Sequence, residues 1–163
     1  CGFVLAASFV WLSAPTPLSL ACGLPLAACG LWLRAWAAGC VAKDQRLSTG
    51  GPYAYVRNPL YAGTLLAASG LIVCSRSYAL AGLFALAFLF MYLPAIKLEE
   101  QHLRDIFPEY PDYASRVPML LPRGRRGTGV LPFSWSQWAH NREYQALAGF
   151  AVAVALLAWK SWR

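Results

Sequence analysis

Apolar residues in this chain fall into five runs separated by compact polar breaks. The first, Gly2 to Ala14, holds about 13 residues and is closed by Pro15 and Pro17. The second, Leu18 to Ala38, is long enough at 1.5 Å per residue to cross a hydrocarbon core of about 30 Å. The third, Leu60 to Cys74, is short for a span at about 15 residues, and Ser75, Arg76 and Ser77 end it. The fourth, Tyr78 to Ile96, spans comfortably. The fifth, Tyr144 to Trp159, lies between charged flanks and ends in a Trp-Lys-Ser-Trp-Arg tail suited to a membrane interface. The pattern predicts an all-α integral membrane bundle of about five transmembrane helices, one domain over residues 1–163, with the third and fourth runs as a helical hairpin. Gly23, Ala27, Ala28, Gly30, Ala67, Ala68, Gly70 and Gly82 are small residues of the kind that let membrane helices approach closely.

Composition agrees. Residues of the set AVILMFWYC make up 58% of the chain and charged residues only 13%, about half the soluble norm of roughly 25%, which excludes a disordered chain and disfavours an ordinary soluble domain. The 14 Lys and Arg against 7 Asp and Glu would suggest nucleic acid in a soluble protein. Here the basic residues sit in the connections between apolar runs, where they fix orientation, and no nucleic-acid partner is expected. Arg34, Lys43, Arg46 and Arg57 flank one connection; Lys97, Arg104, Arg116, Arg123, Arg125, Arg126 and Arg142 populate another. A five-span plan puts both on one side, and the positive-inside rule makes that side cytoplasmic, leaving Lys160 and Arg163 outside. Cys1, Cys22, Cys29, Cys40 and Cys74 form no C-x-x-C pair and have no His at a ligand spacing, so they read as packing residues and no metal site is expected. Cys1 in place of Met points to a trimmed start.

Two dense polar blocks exceed what a space-filling bundle needs. The first runs from Asp44 to Gly63. Gly50, Gly51 and Pro52 make a turn, and Pro59 suits the first turn of the following helix. Arg57 and Asn58 then stand at a helix N-terminus, which favours an anionic ligand group, although a snorkelling Arg with an aromatic belt accounts for the same residues. Tyr61 lies on the next turn, and Gly63 leaves room for something to pack on the backbone. The second block, Lys97 to Arg104, follows directly from an apolar helix. One carboxylate of Glu99 and Glu100 can meet Arg104, while the other points about 100° away, either into a surface ion pair or toward a cationic ligand. His102 reads as a solvated interface residue. Phe107, Tyr110 and Tyr113 follow, and the block closes with the proline-bounded apolar stretch from Arg116 through Met119 to Pro122, which could wall a flat ring. Both blocks fall on the cytoplasmic side, at the ends of one hairpin. They are placed to receive a zwitterionic, partly aromatic cofactor from the cytosol and a lipid-like substrate from the bilayer.

The order G-P-Y-x-Y-x-R-N-P-x-Y-x-G at Gly51 to Gly63, with Glu99-Glu100, Phe107, Tyr110, Tyr113 and R-V-P-x-x-x-P at Arg116 to Pro122, resembles the isoprenylcysteine carboxyl methyltransferases and related phospholipid methyltransferases. The resemblance covers about Arg46 to Pro122, a methyltransferase-like core, and leaves 127–163 as an extra interfacial segment and last helix, with Leu131 to His140 as the interfacial stretch. It implies a membrane enzyme that uses S-adenosylmethionine in a pocket facing the cytosol. Carried over, it implies that Tyr53, Asn58, Pro59, Tyr61, Gly63, Glu99, Glu100, Pro118, Leu120 and Leu121 contact the cofactor and that Arg57, Arg116 and Glu100 act in the reaction. Asn58 replaces the family's usual His, so this position hydrogen-bonds but does not titrate near neutral pH. The acceptor implied is a prenylcysteine-like carboxylate or a lipid amine. Arg57 and Arg116 would hold an acid, and Glu100 would serve an amine. A sterol-reductase-like enzyme using NADPH and a non-catalytic membrane scaffold are the alternatives. Oligomeric state is not legible.

Overall fold

A computed structural model describes residues 8–42, 45–124, 127 and 131–162. Residues 8–12 are helical, and the rest of the first apolar run's N-terminal half lies outside the described residues. Helix α1 (Pro17–Cys40) starts where local chemistry dictates: the Thr16 hydroxyl accepts from Ser19 N, the Ser19 hydroxyl accepts from Thr16 N, and Pro17 occupies a first-turn position that needs no N–H partner. The Ser19 hydroxyl also reaches Cys74 O at 2.9 Å, tying the start of α1 to the end of α2 (Pro59–Ser75).

These two helices form the core, packed antiparallel along a seam of small residues. A Cβ added to Gly30 would lie 2.3 Å from Ala67 N and 2.7 Å from Gly63 O, and one added to Gly70 would lie 2.4 Å from Ala27 N. Backbone therefore meets backbone, the close approach expected where helices in lipid gain association from van der Waals contact. Of the small residues expected at helix contacts, Gly82 is placed differently: it has open space around it. Arg76, at φ 53°, turns the chain after α2, and the Ser77 hydroxyl accepts from Leu80 N to start the next helix.

That helix, α3, runs without interruption from Tyr78 to Ile106 over 29 residues. At 1.5 Å per residue it is about 44 Å long, so roughly its last ten residues extend beyond a 30 Å core. The apolar run ends at Ile96, and the polar block continues the same helix, the continuation that the helical spacing of Glu99, Glu100 and Arg104 assumes. Phe88–Tyr92 is a π-helical turn in which Leu93 N bonds Phe88 O. The cause stands next to it: Pro94 has no N–H to give and its ring crowds the preceding turn, so the ladder widens by one residue. The turn stacks Phe88 on Tyr92 and sets Tyr92 edge-on against Tyr61 of α2.

Short helices α4 (Tyr110–Arg116) and α5 (Trp135–His140) precede the last one, α6 (Tyr144–Ser161). Phe133 lies over Gly39, and Trp135 and Trp138 extend an exposed aromatic edge beside Trp32 and Trp36, as suits a headgroup zone. Asn141 Nδ2 donates to Ala38 O and Val41 O, satisfying carbonyls at the end of α1. Asn141→Ala should therefore lower stability by about 1–2 kcal/mol, read as a fall in the thermal midpoint in detergent.

Among the described residues α1, α3 and α6 are long and apolar enough to cross a membrane, and the 17-residue α2 is shorter. The protein is an integral membrane protein. The end of α1, the start of α2, the polar end of α3 and the start of α6 gather on one side. At the other, Lys160 Nζ donates to Val10 O and Ser13 O.

Candidate functional site

Gly51 adopts φ +57°, a conformation that favours glycine, and Pro52 follows it into a short 3-10 turn that sends Tyr53 inward. Tyr113 of α4 donates its hydroxyl to Tyr53 O at 2.7 Å. The next residues are stitched to the segment after α4: Arg57 N bonds Pro118 O at 2.8 Å and Asn58 N bonds Met119 O at 3.2 Å. Asn58 is the residue before α2, yet its side chain does not cap the helix. Its Nδ2 donates instead to Glu100 Oε1 at 2.8 Å and Met119 O at 3.4 Å. Arg57 Nε stands 3.1 Å from the same Glu100 oxygen, and Nη1 donates to Ala114 O. Glu100 is thus buried, 8% exposed, between a cation and an amide. Glu99 points elsewhere and accepts from the Tyr61 hydroxyl at 3.0 Å. Neither carboxylate pairs with Arg104, which lies over the Tyr110 ring. The expected helix ion pair is not formed.

Two cavities meet here. A narrow one of about 80 Å³ is lined by Arg46, Ser48, Tyr53, Arg57, Asn58, Pro59, Tyr61, Glu99, His102, Tyr110 and Tyr113, with apolar neighbours. A larger cleft of about 550 Å³ runs between α1, α2, α3 and α6, lined by Arg34, Thr64, Tyr61, Glu99 and mostly apolar residues such as Leu31, Leu71, Phe84 and Phe150. Leu60, Tyr61 and Glu99 belong to both. Among the described residues, the buried side-chain polar atoms without a hydrogen-bond partner are Ser48 Oγ, Arg57 Nε and Tyr110 Oη, and all three residues line the narrow cavity. Arg57 Nε lies at ion-pair distance from Glu100 but off hydrogen-bond geometry. An unpaired buried polar group costs about 1–3 kcal/mol, a cost that falls on Ser48 because Arg57 and Tyr110 both lie beside Glu100, and the opening of all three on one space marks a place that can take polar groups from outside the chain.

The structure brings together Tyr53, Arg57, Asn58, Pro59, Tyr61, Glu99 and, directly behind them, Glu100. Other candidate residues lie elsewhere. Gly63 faces α1, where a Cβ would meet Arg34 Cγ at 2.6 Å; it is a packing notch and not a pocket wall. Arg116 pairs with Asp112 on the exposed side of α4, because the two are one helical turn apart there. Pro118 contributes a carbonyl to Arg57 and lines neither of these two cavities. Leu120 lines a separate cleft with Leu33 and Trp36, and Leu121 is 73% exposed. Arg46, Ser48, Leu103, Tyr110 and Tyr113 line the pocket without having been singled out for contact by spacing, and His102, read as a solvated residue, stands at its exposed rim. The aromatic run Phe107, Tyr110, Tyr113 was the available signal for the last two.

Burial holds the hydroxyls of Tyr53, Tyr110 and Tyr113 well above the ordinary tyrosine range, with Glu99 adding to the effect at Tyr53 and Glu100 at Tyr110. They are neutral donors throughout the neutral range and supply no phenolate base. Among the described residues no group of three His, Cys, Asp or Glu is placed to hold a metal ion.

The chain is similar to two curated proteins over about two thirds of its length. It is 40% identical over 115 residues to the cobalt-zinc-cadmium resistance protein CzcN of Cupriavidus metallidurans, covering 69% of this chain and 52% of that one. It is 38% identical over 114 residues to the nickel-cobalt-cadmium resistance protein NccN of Alcaligenes xylosoxydans xylosoxydans, covering 69% and 53%. The chain therefore spans about half the length of these relatives. No solved structure matches it. The phospholipid methyltransferase family model matches residues 18–110, from the start of α1 through the polar end of α3. With the Arg57–Glu100–Asn58 cluster inside that match, the chain belongs to the phospholipid methyltransferase family.

Proposed function

We propose that the protein transfers a methyl group from S-adenosylmethionine to a lipophilic acceptor that enters from the bilayer. The observation that carries this reading is the pair of cavities that share Leu60, Tyr61 and Glu99 as a common wall, one narrow and lined by tyrosines with Arg46, Arg57 and Glu99, the other a wider cleft with its charged side chains at one end only. A cofactor with a nucleoside, a carboxylate and an ammonium group suits the first, where Tyr53, Tyr110 and Tyr113 offer ring faces and Ser48, Arg57 and Tyr110 carry unpaired donors. When bound, S-adenosylmethionine supplies an electrophilic methyl on a sulfonium. The donor set fits, but the space is contracted, since small-molecule sites usually measure about 300–1,000 Å³. Binding therefore widens the pocket. The walls on α2, α3 and α4 are cross-linked by the Asn58–Glu100, Arg57–Ala114 and Tyr113–Tyr53 bonds, so the wall that yields is the one carrying Arg46 to Ser48.

Within this reading Asn58 positions and does not take a proton. Its amide fixes Glu100, and Glu100 fixes Arg57. One oxygen of Glu100 is engaged by these two, so Glu100 acts first by holding Arg57 and Asn58 in place, and Arg116 faces away from the site. Tyr61 and Glu99 stand where donor and acceptor meet. Holding the reactants about 3 Å apart, away from water, supplies much of the acceleration in a displacement that needs no covalent help from the chain. The basic, polar end is the cytoplasmic one by the positive-inside rule. Resistance to metals is named for the relatives, and methylation of an envelope lipid or lipophilic small molecule is compatible with such a setting.

Calorimetric titration of the detergent-purified protein with S-adenosylmethionine, and separately with NADPH, tests the reading. Saturable binding of the first alone is the expected result. Binding of NADPH alone would move the protein to the reductase class, and binding of neither by folded protein would favour the scaffold.

A further inference from the structure

The larger cleft is polar at one end only. Along α2 its lining runs Leu60, Tyr61, Thr64, Ala67, Ala68, Leu71, so everything beyond the second turn is apolar. The cation at the polar end is Arg34 of α1. Its Nε and Nη2 donate to the two oxygens of Glu143 at 2.6 and 3.1 Å, and Nη1 donates to Leu60 O and to the Thr64 hydroxyl. Nearly all of its donors are thereby used. Glu143, immediately before α6 and outside the residues matched by the family model, is only 4% exposed. An incoming anion that took Arg34 would strand this buried carboxylate, so Arg34 is not offered to acids. The other charge on the cleft is Glu99, which accepts from Tyr61 and has no cationic partner within ion-pair distance among the described residues.

We propose that Glu143 sets the charge of the acceptor: by cancelling Arg34 it leaves Glu99 as the uncompensated charge facing the cleft among the described residues, and the cleft then takes amphiphiles headed by an amine and turns away carboxylates. The inference rests on the methyl-transfer reading only in naming this cleft as the acceptor's place.

Binding of hexadecylamine and of hexadecanoate to the detergent-purified protein, titrated at pH 8 in a non-ionic detergent, tests it. The wild type should bind the amine at least tenfold more tightly than the acid. Glu143→Gln, which frees the charge of Arg34, should reduce that ratio at least tenfold. Arg34→Gln combined with Glu143→Gln removes both charges and should restore it, a rescue that a purely structural role would not produce. Glu99→Gln, with the Arg34–Glu143 pair intact, should abolish the preference. An acid-preferring wild type, or a ratio that Glu143→Gln leaves unchanged in folded protein, overturns the proposal. So does an unchanged ratio in Glu99→Gln, even where the Glu143 variant does not fold. Charge preference in a protein that binds no S-adenosylmethionine would sink methyl transfer and leave the selective cleft standing; cofactor binding without charge preference would do the reverse.

Discussion

Gly30→Leu should cost the protein its native helix packing, with a thermal midpoint in detergent lowered by many degrees or no monodisperse protein at all. The new Cβ alone would lie 2.3 Å from Ala67 N and 2.7 Å from Gly63 O, and both are backbone atoms of a helix, so nothing there can rotate aside. Relief requires α1 and α2 to separate. That opens the seam between Ala27 and Gly70 and pulls Arg34 from Thr64 one turn further along. Overpacking a core ordinarily costs about 1–3 kcal/mol, and a site without side chains to yield belongs at or above the top of that range. Gly82→Ala is the matched control. It adds a methyl where nothing lies within 4 Å and exchanges a helical Gly for Ala, so its effect should be neutral or a gain of about 0.5–1 kcal/mol. Equal midpoints for Gly30→Leu and wild type would show that the seam does not hold the helices.

Glu100→Ala should remove S-adenosylmethionine binding and lower stability together. Its carboxylate is the shared partner of Arg57 and Asn58, and the side chains of the Arg57–Glu100 pair are 14% and 11% exposed. Deleting one member of a buried pair typically costs about 3–5 kcal/mol, because the remaining charge stays desolvated and unpaired. The two effects separate in the double variant Arg57→Met with Glu100→Leu. It buries no lone charge and should recover much of the stability, while cofactor binding stays lost. Recovery of binding in that variant would remove both residues from the site.

Hydropathy was enough to read α1, α2, α3 and α6 to within a few residues, because a helix in lipid advertises itself as an unbroken apolar run. For α3 it marked the apolar part alone, and the continuation beyond Lys97 was legible from the helical spacing of Glu99, Glu100 and Arg104 instead. The change there is in solvent, from lipid to water, and the helix carries on through it with one face turned to the protein. Arg57, Asn58, Tyr61 and the two glutamates were legible since their order along the chain is specific. Gly63 and Arg116 stand apart from that cluster in the fold, for opposite reasons. A glycine beside a motif looks the same whether it faces a ligand or a neighbouring helix, and an arginine with an acid one turn away has a local partner that competes with any distant one. The pair Arg34 and Glu143 is separated by 109 positions, and nothing local links them. The π-helical turn at Phe88–Tyr92 had a sequence cause in Pro94, but a proline in a membrane helix equally permits a kink.

The shortness of α2 has a consequence for how substrates are found. Its 17 residues span about 26 Å, some 4 Å less than a typical hydrocarbon core, so the turn bearing Tyr61 and Thr64 would sit below the surface of such a bilayer. Drawing a sixteen-carbon chain into water would cost about 13 kcal/mol at roughly 0.8 kcal/mol per methylene. A recessed meeting point avoids that extraction altogether. Under the proposed reaction the acceptor would diffuse laterally with its tail still dissolved, and its encounter with the protein would be a search in two dimensions governed by how much of it the membrane holds.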